Sequence, residues 1–591
     1  MNILGIGDSI SSGAALIVDG QIAAAVNEER LNRQKMCMGF PRSSVDEVTR
    51  IADTAPGDID AVAVATNSLF WRPDCWPYTD YFRENRGGFL RETLLSGGGA
   101  ISTIFGNSSM ARNAYHALKS VLTRDRRGKV RQVLDKEYGI KAPVHFIDHH
   151  LSHAASAYFT SGFDNATVIT LDGAGDGKSS RVYRVRRGTF EELQSLDSYH
   201  SIGNYYSYVT HLCGFKGHKH EGKITGLAAQ GKPAYLGILK KYVDWDGRRI
   251  RNIGKCFDHS AIDKLESDLP SNFSHEDLSA SVQTLLEEAV SAYADFWVRK
   301  SGCPNVALAG GVFANVKLNQ RIHELDAIDN VFVHPGMGDD GLAAGAALYE
   351  HNQRKGYTSR SVMQDVYLGG EHSNAARQRA IRNGDVRVVE LEDSLERTVA
   401  RMLADGKVIA RCAGRMEYGP RALGNRTIMY QTTEPDVNTW LNKRLDRTEF
   451  MPFAPVTLWE DRDECYKGVT GAEETARFMT ITFDCTEEMK ERSPAVVHVD
   501  GTARPQLIRQ EDNPAYYNIL REYKKITGIP SLINTSFNMH EEPIVNTPEE
   551  GVRAFLSSGL DALILGDQLV VPEAETGMQG GDKAGELKTS F

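Results

Sequence analysis

ILGIG at Ile3–Gly7 runs into DSISSG at Asp8–Gly13, then AALIV at Ala14–Val18, Asp19-Gly20, and QIAAAV at Gln21–Val26. The order recurs: TVITL at Thr167–Leu171, DGAGDG at Asp172–Gly177, RVYRV at Arg181–Val185, then Arg187-Gly188. Each copy reads as a short apolar strand, a Gly/Asp loop of phosphate size, and a strand returning to a two-residue hairpin turn. Two copies in one chain suggest a duplicated ribonuclease-H-like domain with a nucleotide between its halves. Two unrelated hairpins are the alternative, because Asp-Gly turns are common, and spacing alone does not decide.

Outward from these copies the chain alternates strands with helices. Asn305–Ala309 leads into Gly310-Gly311 and an amphipathic stretch, Val312–Leu325; Asn330–His334 leads into Pro335–Gly341 and a small-residue helix, Leu342–Tyr349. That alternation predicts an α/β layer structure. Polar residues from His351 to Arg360 predict a linker region, and a new alternation runs from Val386 to about Pro572. The expected units are residues 1–360, a linker at 361–385, a second α/β domain at 386–573, and a mobile polar tail at 574–591. With 591 residues, more than one core is expected.

A charged fraction of 25% beside 41% hydrophobic residues excludes a disordered or fibrous class. The net charge of -10 gives no overall attraction to nucleic acid or anionic membrane. The eight cysteines contain no CxxC pair, which reads as a reduced, cytoplasmic chain. No secretory signal and no membrane-spanning apolar run is expected.

The segment DHHLSHAASAYF opens a predicted helix, where His149 and His153, four apart, share one face. An HxxxH pair alone reads more readily as a pair of hydrogen-bonded histidines near a helix start. Asp172 at a strand end and Asp339 before a helix supply two carboxylates, and two imidazoles with two carboxylates suit iron, zinc or manganese. Gly173, Gly175 and Gly177 let backbone amides approach phosphate, and Gly310-Gly311 suit a flat adenine. Glu221-Gly222-Lys223 before Thr225–Ala229 reads as a packing turn into a helix, with Lys223 a lesser anion candidate.

A second chemical district spans Arg411–Arg447, where Arg415, Arg421 and Arg426 alternate with Gly414, Gly419 and Gly424. Such a pattern suits bidentate capture of phosphate or carboxylate. Further on, Ser536 and Asn538 follow a predicted strand; they either donate to phosphate or, with Glu541, cap a helix.

HHLSHAASAYFTSGF, LDGAGDG, HEGKITGLAAQG, GGVFANVKLN, HPGMGDDGLAAGAA, GRMEYGPRALGNR, EFMPFAPV, HVDGTARPQ and SLINTSFNMHEEPIV together resemble, in order, the NodU/CmcH O-carbamoyltransferase family. The resemblance covers nearly the whole chain. It implies an actin/Kae1-like N-terminal domain and a YrdC-like C-terminal domain. The C-terminal domain would form carbamoyl-adenylate from carbamoyl phosphate and ATP with Mg2+. The N-terminal one would transfer the carbamoyl group to a small-molecule hydroxyl and release AMP. The implied metal ligands are His149, His153, Asp172 and Asp339 around an iron-type ion, with Gly173, Gly175, Gly310, Gly311 and Asn315 about the nucleotide. The implied activating pocket holds Arg415, Arg421, Lys443, Arg447, Arg504, Ser536 and Asn538.

Two departures stand out. Where relatives carry a histidine in the first loop, this chain reads Asp8-Ser9-Ile10-Ser11-Ser12, so the expected base is Asp8, a metal-bound species, or, failing those, Asp176 or Glu221. Asp446 and Met451 replace basic residues, leaving Lys443 or Arg444 to compensate. The other readings are a threonylcarbamoyl-type tRNA-modifying enzyme and a non-catalytic actin-like nucleotide switch. Neither the acceptor nor the choice between monomer and homodimer is legible.

Overall fold

The computed structural model describes residues 1–84, 123–358, 362–446 and 452–573, with the side chains of Glu84 and Arg124 left aside. Arg447, Met451 and the tail from 574 lie outside the described residues. Among those described, no helix is long and apolar enough to cross a membrane.

The first sheet contains β1 (Asn2–Gly7), β2 (Gly13–Val18), β3 (Gln21–Asn27), β4 (Ala61–Ala65) and β5 (Val144–Ile147), in the order β3-β2-β1-β4-β5. The second contains β6 (Asn165–Gly175), β7 (Lys178–Arg186), β8 (Thr189–Asp197), β9 (Asn305–Ala309) and β10 (Asn330–Val333), ordered β8-β7-β6-β9-β10. In both, three antiparallel strands from consecutive hairpins are followed by two parallel ones. Identical order and orientation establish the duplicated actin/ribonuclease-H-like fold. Asp19-Gly20, Asp176-Gly177 and Arg187-Gly188 all place both residues at positive φ, as the tightest hairpin turns require. The DGAGDG stretch is not a free loop. β6 continues to Gly175 through a register shift after Leu171, and only Asp176-Gly177 turns.

Between the sheets lie the helices His149–Thr160 and Leu342–Lys355, packed on one another. A Cβ on Gly345 would fall 1.9 Å from the Ser152 carbonyl oxygen, and one on Gly5 would fall 2.0 Å from that of Ala343. The small residues of LAAGAALY therefore set the distance between layers. That helix runs beyond Tyr349 through His351, where polar composition predicted a linker. His351 and Asn352 are buried, and Asn352 Nδ2 donates to the Gly188 carbonyl at 3.0 Å.

The C-terminal unit is built on an eight-stranded mixed sheet. Its strand order is Val386–Val388, Gln568–Pro572, Ala562–Leu565, Ile409–Cys412, Arg426–Tyr430, Ser531–Ser536, Ala454–Leu458 and Gln506–Ile508. Within the interval 361–385, Asn374–Asn383 is helical and packs on the helix Pro548–Ser558. The two units share backbone-directed bonds: Arg30 donates to the Gly419 carbonyl at 2.8 Å, and Arg33 to those of Pro543 and Ile544 at 2.7 Å.

Gly345→Ala is expected to cost about 1–3 kcal/mol through overpacking against backbone. Gly237→Ala, where an added Cβ meets nothing within 4 Å, should leave the melting temperature unchanged or raised. Thermal denaturation of both variants checks this, and equal melting would remove the spacing role of Gly345.

Candidate functional site

β5 ends at Ile147, and Asp148 caps the next helix by accepting the Leu151 N–H at 3.0 Å. The helix then presents His149 and His153 one turn apart. Asp172 comes from β6 of the second sheet, and Asp339 from the turn after β10. One ligand atom from each of these four residues lies within 4.8 Å of the other three. Asp172 Oδ2 is 3.3 Å from His149 Nε2 and 3.2 Å from His153 Nε2, and the two Nε2 atoms are 3.1 Å apart. Asp339 Oδ1 stands 3.7 and 3.5 Å from the same nitrogens.

Surrounding groups fix this geometry. Thr66 Oγ1 meets His149 Nδ1 at 3.0 Å, orienting the ring from behind as a metal ligand requires. The Asp176 carboxylate accepts the backbone N–H groups of Asn67, Ser68 and His149, tying three segments together. A Cβ on Gly175 would lie 2.0 Å from His149 Cδ2, so this glycine makes room for the imidazole. His150 belongs elsewhere: its Nδ1 meets Thr170 Oγ1 at 2.8 Å, and burial and its two histidine neighbours keep it neutral.

Burial opposes a charge on His149, but the carboxylates of Asp339, Asp172 and Asp176 outweigh it and lift its pKa to about 9. His153 is raised too, Asp172 and Asp339 again overcoming burial. Burial would raise Asp172, yet the two imidazoles hold it well below the usual carboxylate range. The cluster, its histidines buried and its carboxylates partly exposed, thus favours positive charge, whether protons or a divalent ion, and its two nitrogens and two oxygens fit a first-row divalent metal.

Asp172 and Asp339 open on a cavity of about 1390 Å³ walled by both units. Gly173, Gly311 and Asn315 line it from the N-terminal side, and Arg421, Ser536 and Asn538 from the C-terminal side. Metal cluster and arginine loop, two separate districts in the sequence, therefore face one space. Asn315 also caps its helix, accepting the Leu318 N–H at 3.0 Å. Asn538 donates to the Met539 and Glu542 carbonyls at 2.8 and 2.9 Å and begins no helix, so the capping alternative falls. Gly310 packs under the site, an added Cβ falling 2.1 Å from the Leu171 carbonyl oxygen.

Other expected residues lie outside this cavity. Asp8 is buried, and both its oxygens accept from the guanidinium of buried Arg126, which also donates to the Thr66 and Ala65 carbonyls. The fork engages both oxygens of the expected base. Arg415 donates from Nε to the Gly369 carbonyl and from Nη2 to those of Ala23 and Leu368, and so joins the two units. Lys443 is exposed on the helix Val437–Arg444. Arg504 lines a separate cavity of about 220 Å³ with Lys317, His498 and Asp500.

The arginine loop is organised by a residue that the sequence reading passed over. Glu417 is buried, and its Oε1 accepts the backbone N–H groups of Leu423, Asn425 and Arg426 at 3.0, 2.8 and 3.0 Å. Arg426 in turn donates to the Ala413, Gly414, Asn425 and Asn546 carbonyls. The sequence signal was there: an acid centred in a run of arginines and glycines.

Fold and site together define an α/β enzyme with a histidine–carboxylate metal-type centre in a cavity between two units. Residues 2–348 match the N-terminal and 400–571 the C-terminal family model of carbamoyltransferases, and the chain belongs to that family. It is similar to nodulation protein NolNO of Sinorhizobium fredii, 33% identical, covering 94% of this chain and 78% of that protein. Nodulation protein NolO of Bradyrhizobium diazoefficiens is also 33% identical, covering 72% and 78% respectively. HypF of T. kodakarensis is 15% identical with a TM-score of 0.35, covering 61% of this chain and 49% of that one. That likeness is too distant to bear on the fold, which rests on strand order.

Purified protein is expected to hold about one divalent ion per chain, and His153→Ala to lose most of it. Because protons compete for both imidazoles, affinity should rise with pH until it passes the raised pKa of His149, about 9. Elemental analysis and metal titration at pH 6, 7 and 8 check this. Undiminished metal in His153→Ala would defeat the assignment.

Proposed function

We propose that the chain is an ATP-dependent O-carbamoyltransferase. Carbamoyl phosphate, water and ATP would give carbamoyl-adenylate, phosphate and pyrophosphate; a small-molecule hydroxyl would then take the carbamoyl group and AMP would leave. The observation that carries the reading is the shared cavity, where Arg421 and Ser536 face the same space as Asp172 and Asp339. Family membership supplies the carbamoyl chemistry, and the cavity gives an intermediate room to pass from one wall to the other.

On the C-terminal wall, Arg421 holds phosphate oxygens in a fork, with Ser536 beside it and Asn538 bracing the turn that follows. On the opposite wall the backbone at Gly173 and Gly311 lies against the nucleotide. A divalent ion held by His149, His153, Asp172 and Asp339, iron by the family resemblance, would supply Lewis-acid polarisation of the carbamoyl carbonyl. Mg2+ accompanies ATP. All eight cysteines are free thiols, which fits a reducing compartment and hence the cytoplasm. The net charge of -10 supplies no argument for a tRNA substrate.

Removing Arg421 takes away a charge-assisted hydrogen bond worth about 1.5–3 kcal/mol. Arg421→Ala should therefore lose pyrophosphate release that depends on carbamoyl phosphate by about one to two decades, and carbamoylation with it. His149→Ala should still release pyrophosphate but fail to carbamoylate, and added carbamoyl-adenylate should rescue only Arg421→Ala. A folded His149→Ala protein that released no pyrophosphate would sink the division of labour.

A further inference from the structure

Transfer to a hydroxyl needs a group that takes its proton, and the acidic candidates in the sequence are all committed. Asp8 is forked onto Arg126. Asp176 is saturated by three backbone N–H groups. Glu221 accepts the Ser207 hydroxyl at 2.6 Å and the His218 backbone N–H at 2.5 Å.

His218 is different. Its Nδ1 meets Ser207 Oγ at 3.3 Å, while among the described residues no hydrogen bond to its Nε2 is formed. A serine hydroxyl has one proton. Given to the Glu221 carboxylate, it leaves Oγ able only to accept, so Nδ1 must carry the ring proton and Nε2 keeps its lone pair. The backbone is built to hold the ring there. His218 sits at φ 62, a left-handed conformation uncommon for a non-glycine residue. Phe82 packs on its ring at 5.3 Å between centroids and Tyr81 meets it edge-on at 6.1 Å. Its place is beside the metal-type cluster: a Cβ on Gly173, next to Asp172, would lie 3.9 Å from His218 Cε1 and Nδ1. His218, Gly173, Asp172 and Asp339 all line the large cavity.

Resting on the proposed transfer reaction, we infer that His218 is the general base for the acceptor, with Ser207 and Glu221 as positioning residues that fix its tautomer. The acceptor oxygen bonds to the carbamoyl carbon, its proton passes to His218 Nε2, and the bond from that carbon to the adenylate oxygen breaks. AMP leaves with the electron pair, and His218 returns the proton to solvent. This supplies the base that the first loop lacks.

His218→Gly suits the left-handed backbone and retains the backbone bond to Glu221. It should leave the first-turnover burst of pyrophosphate, measured with enzyme in excess over ATP, within about twofold of wild type. AMP release with water as acceptor, and formation of ethyl and 2-fluoroethyl carbamates from the added alcohols, should fall by about two to four decades. Imidazole should restore much of the loss, and the more acidic alcohol should suffer less. Unimpaired transfer by His218→Gly would overturn the inference. Separately, nitrogen NMR of the full-length protein labelled in its histidines, with His218→Gly as the difference spectrum, should show the Nδ1–H tautomer for His218, shifted by Ser207→Ala. An Nε2–H tautomer in an active enzyme would sink His218 alone, whereas a wild-type protein that makes no AMP from ATP and carbamoyl phosphate would sink the reading beneath it.

Discussion

Two imidazole nitrogens face each other at 3.1 Å inside the protein, with the carboxylates of Asp172 and Asp339 closing on them. Neither ring can move away without unpacking the helix between the sheets. Neither carboxylate can be buried cheaply without positive charge beside it. The duplicated fold resolves the conflict. One half delivers the histidine helix after its last strand, the other delivers Asp172 from its first strand and Asp339 after its last, so that their ligand atoms meet where a cation would join them. Glycines at 5, 175 and 345 allow the close approach, since side chains there would strike backbone or the His149 ring.

The second unit completes the site by forming its wall. Arg30 and Arg33, just beyond β3, reach across to backbone carbonyls of the C-terminal unit, and Lys219 and His220 pair with Glu541 on the opposite rim. Glu417 gathers three amides and shapes the loop, so that Arg421 is presented to the cavity while Arg411, Arg415 and Arg426 hold the frame. An alternation of arginine and glycine thus divides into one arginine facing the cavity and several that brace backbone. On the proposed reading, activation and transfer take place on opposite walls of one chamber.

Much of this was legible because it is local. The strand–turn–strand echo encodes topology through Asp19-Gly20 and Asp176-Gly177, and the four-residue step from His149 to His153 encodes a shared face. What escaped were the partners of polar side chains, near and far along the chain. Asp8 finds Arg126 and Glu417 finds amides in its own loop, yet polarity says only that some partner is needed, not which. His351 and Asn352 look like linker residues, since burial of a polar side chain depends on a carbonyl supplied from elsewhere in the chain. His218 was hidden for the same reason: its role appears only once Ser207, Glu221 and the cavity surround it.

The claim on which the account rests is that the four-residue cluster holds a metal ion. X-ray absorption on the purified protein, with anomalous diffraction at the absorption edge of the metal found, tests it most directly. The account predicts a single peak per chain bonded to His149 Nε2, His153 Nε2 and oxygens of Asp172 and Asp339, with two nitrogen scatterers in the first shell. Metal bound elsewhere, with the cluster holding only protons, would contradict it.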